Sequence, residues 1–166
     1  SQKSLKRTKK KIMIKVDVLV SNKAWKNHIS NSNIYLKKKL KKAEGKIDFL
    51  KKNKFIFSLL LSGDKEIKKL NKKFRKKNKI TDVLSFPFHE KEVLSKLIKN
   101  KQNNIYLGDV IINLNKIVKK KNNNNFYNQF DKIWIHGLVH LFGYRHKSNK
   151  DFSIMQKLEN KILKSV

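Results

Sequence analysis

Residues 126–146 read FYNQFDKIWIHGLVHLFGYRH and contain the best-defined helix of the chain. Apolar residues recur there at helical spacing, which predicts a helix over residues 126–142 with one buried stripe. His136 and His140 lie beside this stripe and one turn apart, so their rings project from the same side, at the border between core and solvent. The stripe itself consists of Phe126, Phe130, Ile133, Trp134, Leu138 and Leu141.

The histidines of this stretch have the spacing of a metal site. Three of the chain's five histidines form the pattern H-x-x-x-H-x-x-G-x-x-H over residues 136–146. Gly143 can adopt the left-handed conformation that ends a helix, which lets His146 return toward His136 and His140. Three neutral imidazoles leave a fourth tetrahedral position for water or substrate, as in a catalytic zinc site, where bound water has a pKa of about 7. We therefore predict one Zn²⁺ ion on these three side chains, although three ordinary histidines on an amphipathic helix are the alternative.

The composition restricts the class of protein. The chain has 166 residues, 39% of them hydrophobic, which suits one compact domain. We assign that domain to residues 12–166, behind a basic tail at residues 1–11 that lacks the apolar core of a signal peptide. No apolar run is long enough to span a membrane, and we expect a cytoplasmic protein without membrane contact. There is no cysteine, so a metal must be bound by histidine or carboxylate.

The charge balance indicates a polyanionic partner. The formal net charge is +30, from 42 basic and 12 acidic residues, which favours nucleic acid as the first candidate. Lysine supplies 39 of the basic residues, so part of the excess reflects coding-sequence bias. Arginine occurs only as Arg7, Arg75 and Arg145, and a guanidinium binds phosphate with a planar fork that an ammonium lacks. Arg75 and Arg145 therefore become candidates for phosphate binding.

Apolar runs along the chain predict an α+β domain with about four strands in one mixed sheet and five to six helices packed on it. Pro87 cannot donate a ladder hydrogen bond, so the third strand is expected at a sheet edge. The predicted strands cover residues 12–20, 55–61, 81–88 and 105–112. The predicted helices cover residues 22–43 (one or two helices), 64–74, 91–98, 113–121, 126–142 and 150–164.

Several strings of residues together carry a family resemblance. They are Leu70 and Asn71, Phe74 and Arg75, TDVLSFP at residues 81–87, LGD at residues 107–109 and the histidine pattern. In this order and at this spacing, from about residue 16 to residue 163, they resemble the YbeY family of bacterial endoribonucleases.

The resemblance implies one α+β domain that binds a single zinc ion through His136, His140 and His146. It also implies a metal-dependent endoribonuclease that is specific for single-stranded RNA, matures the 3′ end of 16S ribosomal RNA and acts in ribosome quality control on the small ribosomal subunit. By position, the functional arginine of the family is Arg75, so Arg75 and His136 are the candidate catalytic residues.

The chain departs from the family pattern at two positions. Arg145 stands where the family usually has aspartate, and Ile80 stands where the preceding loop usually has proline. A guanidinium next to a metal site disfavours the metal and favours phosphate, whereas a carboxylate does the reverse. The change at Ile80 only loosens the loop.

Three further candidates keep two interpretations each. Asp109, in the middle of a strand, either orients a ligand histidine or caps a neighbouring element. Ser85 either hydrogen-bonds the RNA backbone from the cleft or is structural. Residues 72–79 either follow phosphates or form a solvated basic loop.

Two other functions compete with the nuclease. The histidine spacing equals that of metzincin proteases, but these need glutamate after the first histidine as general base, and Gly137 has no side chain. A ribosome-associated RNA-binding factor with little catalysis accounts for the +30 charge equally well and is slightly favoured by Arg145.

Overall fold

The structure is a computed structural model that describes residues 13–51, 53–120 and 125–166. The predicted basic tail at residues 1–11 lies outside the described residues, and the domain limits of 12–166 stay a prediction. The strands are β1 (Ile14–Val20), β2 (Phe55–Ser62), β3 (Val83–Pro87) and β4 (Ile105–Asn113). The helices are α1 (Ser32–Glu44), α2 (Asp64–Arg75), α3 (Lys91–Lys99), α4 (Leu114–Lys119), α5 (Phe126–Leu141) and α6 (Asn149–Ser165).

These elements confirm the predicted α+β class, with four strands and six α-helices among the described residues. Two short 3-10 helices, Lys23–Asn27 and Asp48–Lys51, are added. The first of them lies with α1 in the segment for which one or two helices were predicted. Within the same described part of the chain, no helix is both long and apolar enough to cross a membrane.

The sheet is mixed, as predicted, with the strand order β1-β2-β4-β3. β2 pairs in parallel with β1 and β4, whereas β3 pairs antiparallel with β4 and forms an edge. Pro87 ends this edge strand, where a missing backbone donor costs no ladder hydrogen bond. β2 lies between two partners and is apolar at almost every position. Its side chains toward the main core are buried, whereas Ile56, Ser58 and Leu60 on the other face are half-buried.

Successive side chains of β4 point to opposite faces of the sheet, and different helices pack on the two faces. Val110 faces α5, and Ile111 faces α2, where it packs with Ile67. The main core lies on the α5 face and includes both tryptophans, which are buried. The α2 face is only partly covered, and it carries a groove of about 520 Å³ that is lined by apolar side chains together with Asp17 and Asp109.

A glycine sets how closely α5 approaches the sheet. A Cβ atom added at Gly137 would lie 2.5 Å from Cγ1 of Val110, a distance that real Cβ contacts do not show. The same residue's carbonyl oxygen accepts a hydrogen bond of 3.0 Å from the Ser85 hydroxyl on β3. Both contacts require α5 to present this residue to the sheet, which places the helix side carrying His136 and His140 at the edge near β3.

A buried carboxylate joins α1 to α5. Asp131 is 5% exposed and accepts hydrogen bonds from the Tyr35 hydroxyl at 2.8 Å and the Trp134 indole at 2.9 Å. Its second oxygen lies 2.9 Å from the Lys39 ammonium. Burial, and next the hydrogen bond to Asp131, raises the pKa of Tyr35 above its ordinary value. The Asp131 carboxylate therefore satisfies three donors that are wholly or partly shielded from water.

We expect Asp131→Ala to lower the free energy of unfolding by about 3 kcal/mol, because it leaves a partly buried ammonium and two donors without their acceptor. Tyr35→Phe, which removes a single hydrogen bond, is expected to cost only about 1 kcal/mol. Urea denaturation followed by tryptophan fluorescence measures both. Equal costs for the two variants would contradict a network centred on the carboxylate.

Candidate metal centre

The three histidines of the predicted pattern converge in the structure. His136 and His140 lie on α5, and their Nε2 atoms are 3.1 Å apart. His146 joins them after the helix has ended, and one ligand atom from each residue lies within 4.8 Å of the others. Gly143 has φ +92°, the left-handed turn that was predicted to bring His146 back. Among the described residues this is the one group of three or more histidine or carboxylate side chains able to hold a metal ion.

Hydrogen bonds fix the orientation of two of these rings. The Nδ1–H of His136 donates to the Glu159 carboxylate at 2.7 Å, and the Nδ1–H of His140 donates to the Tyr144 carbonyl at 2.8 Å. Each neutral ring then carries its lone pair on Nε2. Burial, and next the proximity of His136, lowers the pKa of His140 below its ordinary value, which keeps that ring neutral at pH 7.

These residues fit a bound cation. When both Nδ1 atoms donate, the Nε2 atoms of His136 and His140 each carry a lone pair and lie 3.1 Å apart, an approach that is repulsive between neutral rings and becomes favourable when both coordinate one positive ion. Two nitrogen ligands at about 2.0–2.1 Å from a tetrahedral ion lie about 3.3–3.4 Å apart, close to the observed spacing. The set of three imidazoles can therefore bind a metal ion. In His136 and His140 the hydrogen bond made by Nδ1 orients the ring so that Nε2 is left to coordinate the metal.

The histidines line a cleft of about 860 Å³, which we call the histidine cleft. Arg75, at the end of α2, also lines it and donates a hydrogen bond of 2.8 Å to the Ser85 carbonyl oxygen. Its guanidinium lies 5.5 Å from the centroid of the Phe86 ring. Arg145 is exposed and lines the same cleft. The structure thus brings both candidate arginines to the cleft that contains the histidines.

Two other predicted candidates do not act on the histidines. Asp109 lies on the opposite sheet face, where it accepts a hydrogen bond of 2.6 Å from the Tyr106 hydroxyl, so the interpretation that it orients a ligand histidine is wrong. Asp109 is not the capping residue of any α-helix among the described residues. Ser85 borders the cleft but is buried, and its hydroxyl donates to the Gly137 carbonyl oxygen, which favours the structural interpretation.

Sequence comparison identifies the family. The sequence model of the family described as endoribonuclease YbeY matches residues 18–166. The endoribonuclease YbeY of Pelagibacter ubique (strain HTCC1062) is 41% identical over 156 residues, which cover 93% of this chain and 97% of the relative. The chain belongs to the endoribonuclease YbeY family.

A second YbeY relative agrees with this assignment, and a solved structure shares the fold. The endoribonuclease YbeY of Buchnera aphidicola subsp. Acyrthosiphon pisum (strain APS) is 43% identical over 139 residues, covering 82% of this chain and 84% of the relative. A solution structure of a Thermotoga maritima protein has the same fold, with a TM-score of 0.50 and 23% identity over 90% of this chain and 88% of that one. The predicted YbeY resemblance and the predicted endoribonuclease class are confirmed.

The sequence did not reveal Glu159 as a partner of the YbeY histidine cluster. It lies 23 residues after His136, on α6, and next to the apolar stripe of that helix. No local spacing connects the two residues, because α6 reaches His136 only through packing against α5. A lone carboxylate at the border of an apolar stripe was the only sequence signal, and it is a common one.

We expect Glu159→Ala to weaken Zn²⁺ binding by about 10- to 100-fold, because His136 loses the acceptor that fixes its ring and its tautomer. Glu159→Gln retains a neutral acceptor and should give a smaller loss. Competition titration against a chromophoric chelator measures both affinities. Zn²⁺ affinity within twofold of the unmodified protein for the alanine variant would show that the Glu159 contact does not support the site.

Proposed function

We propose that this YbeY protein is a zinc-dependent endoribonuclease that cuts single-stranded RNA, matures the 3′ end of 16S ribosomal RNA and takes part in ribosome quality control in the cytoplasm. Its partners are then ribosomal RNA and the small ribosomal subunit. The proposal rests on one observation. The histidine cleft is lined by three imidazoles that can hold one ion and by two guanidinium groups that can hold phosphate.

The proposed chemistry is hydrolysis of a phosphodiester bond. A zinc ion, when bound, supplies Lewis acidity and lowers the pKa of a coordinated water to about 7. His136, His140 and His146 hold the ion, and the bonds from Glu159 and Tyr144 keep two of the rings in the tautomer that binds metal. The protein thus contributes a preorganised set of ligands for the ion.

Arg75 is placed to hold the phosphate. One of its five N–H donors is used by the Ser85 carbonyl, and the cation–π contact with the Phe86 ring restricts its position further. No carboxylate among the described residues forms an ion pair with it, so its charge remains available to an anion in the cleft. A preoriented guanidinium stabilises the negative charge that develops on the phosphoryl group in the transition state, because the guanidinium does not have to reorient during the reaction.

The geometry weighs against the protease alternative. A glutamate at position 137 would point at Val110 in the sheet and not into the histidine cleft, so the helix has no place for the metzincin general base there. The RNA-binding assembly factor with little catalysis remains the second candidate. The observation in its favour is Arg145, a second cation beside the metal ligands where the family pattern has a carboxylate.

We expect Arg75→Ala to lower the rate of single-stranded RNA cleavage by about 10²-fold while Zn²⁺ content stays unchanged, because only the phosphate-binding group is lost. His136→Ala should lose both Zn²⁺ and cleavage. The matched control is Lys68→Ala on the exposed side of α2, which should cleave as the unmodified protein does. Gel assays with single-stranded, duplex and precursor 16S RNA, run with and without chelator, give the rates.

The same assays decide between the two candidates. Loss of cleavage in His136→Ala with RNA binding retained supports the enzyme. Binding of single-stranded RNA by the unmodified protein, with no cleavage of any of the three RNAs in the presence of Zn²⁺, would instead support the assembly factor and overturn the zinc-dependent nuclease.

We expect Arg145→Asp, which introduces the residue of the family pattern, to strengthen Zn²⁺ binding and to weaken RNA binding. The carboxylate attracts the cation next to His146, whereas the lost guanidinium no longer contacts phosphate. Chelator competition and RNA anisotropy measure the two changes. Arg145→Gln separates removal of the positive charge from addition of the negative one. Tighter RNA binding by Arg145→Asp would contradict a phosphate-binding role for Arg145.

A further inference from the structure

A second groove of about 450 Å³ lies on the other side of His136, between α5 and α6. We call it the α5–α6 groove. Its walls follow helical spacing: positions 129, 132, 133 and 136 on α5 face positions 156, 159, 160 and 163 on α6. Its volume is within the range of about 300–1,000 Å³ that small-ligand sites occupy, which leaves room for a nucleotide.

The α5–α6 groove adjoins the histidine cleft. His136, Asp82 and Val83 line both of them. The His136 ring separates the two spaces, with Nε2 directed to the ligand cluster and Nδ1 to Glu159 on the groove side. The groove is therefore next to any strand that lies across the histidines.

The lining of the α5–α6 groove has the chemistry of a nucleobase site. Ile133 and Ile135 are buried and supply an apolar floor. Three amide side chains, Gln129, Gln156 and Asn160, stand around it, and none of them has a hydrogen-bond partner among the described residues. Each amide offers a carbonyl acceptor and two N–H donors, the groups that pair with the edges of an unpaired base.

The charges at the groove suit a backbone phosphate on its rim. Lys132 is exposed on α5, whereas the Lys120 ammonium lies 3.7 Å from the Asp82 carboxylate. The Glu159 carboxylate is bonded to His136. The two acidic groups of the lining are thus both matched by cationic or donor partners, and Lys132 adds a further positive charge next to the three amides.

We infer that the α5–α6 groove binds one unpaired nucleotide of the RNA strand, the nucleotide next to the phosphate held in the histidine cleft. The amides contact the base, and Lys132 contacts the adjoining phosphate. This inference rests on the proposed function, since it takes the strand in the cleft to be RNA. It gives a reason for single-strand specificity, because a base enters the space between two helices only when it is not paired.

Two variants separate the base contact from the phosphate contact. The double variant Gln129→Ala/Asn160→Ala is expected to weaken binding of an unstructured RNA oligonucleotide by about fivefold to tenfold, with the same salt dependence as the unmodified protein, because it removes neutral hydrogen bonds. Lys132→Gln is expected to reduce the slope of log affinity against log salt by about 0.7, the value for one phosphate contact on a single strand. All three positions lie on the surface of helices, and thermal unfolding checks that each variant is folded.

The measurement is fluorescence anisotropy with metal-loaded protein, recorded before cleavage proceeds, over a series of salt concentrations. The matched control is Lys68→Gln on α2, which packs against the opposite face of the sheet and should leave affinity and slope unchanged. Cleavage kinetics on the same proteins should show a higher KM with unchanged kcat for the groove variants.

The outcomes distinguish a failure of the proposed function from a failure of the groove inference. If the unmodified protein neither binds nor cleaves single-stranded RNA, the proposed function fails and the groove inference fails with it. If the unmodified protein does both, and the groove variants behave like Lys68→Gln, only the groove inference is overturned. In that case a partner of another class, such as a protein, would be the candidate for the groove.

Discussion

The contact of α5 with the sheet at Gly137 is the constraint on which the site depends. The missing side chain lets the helix approach Val110, and the Ser85 hydroxyl binds the carbonyl oxygen of the glycine. The Ser85 backbone carbonyl accepts the bond from Arg75. One residue of β3 therefore holds both the helix that carries two of the histidines and the arginine in the same cleft, so the candidate metal ligands and the arginine proposed to bind phosphate share a single support.

His136 connects the histidine cluster with the α5–α6 groove. Through Nε2 it belongs to the ligand cluster, and through Nδ1 it is bonded to Glu159 of α6. Packing of α6 on α5 thus positions a metal ligand and forms the groove beside it. Orientation of ligands by such outer contacts is a general property of metal sites, and here it ties the metal site to the C-terminal helix.

Much of this arrangement could be predicted from residues close together in the chain. The strand positions, the helix over residues 126–142, the edge location of β3 and the turn at Gly143 all follow from short-range periodicity or from the conformational limits of proline and glycine. The role of Asp109 stayed open in the sequence because a strand residue has two possible faces, and only the packing of α2 and α5 decides which one meets the histidines. Glu159 was missed because its partner is distant in sequence.

The sequence by itself determined the histidine triad, because residues 136–146 form a helix and a turn whose geometry depends on backbone spacing alone. The sequence also determined the family, because the motifs and their order can be recognised without knowing how the chain folds. Only the tertiary structure decided what surrounds the triad: Arg75 anchored on β3, Glu159 behind His136, and two adjoining cavities. These depend on how helices rotate and pack against one sheet, and packing over such sequence distances is set by the fit of the whole core.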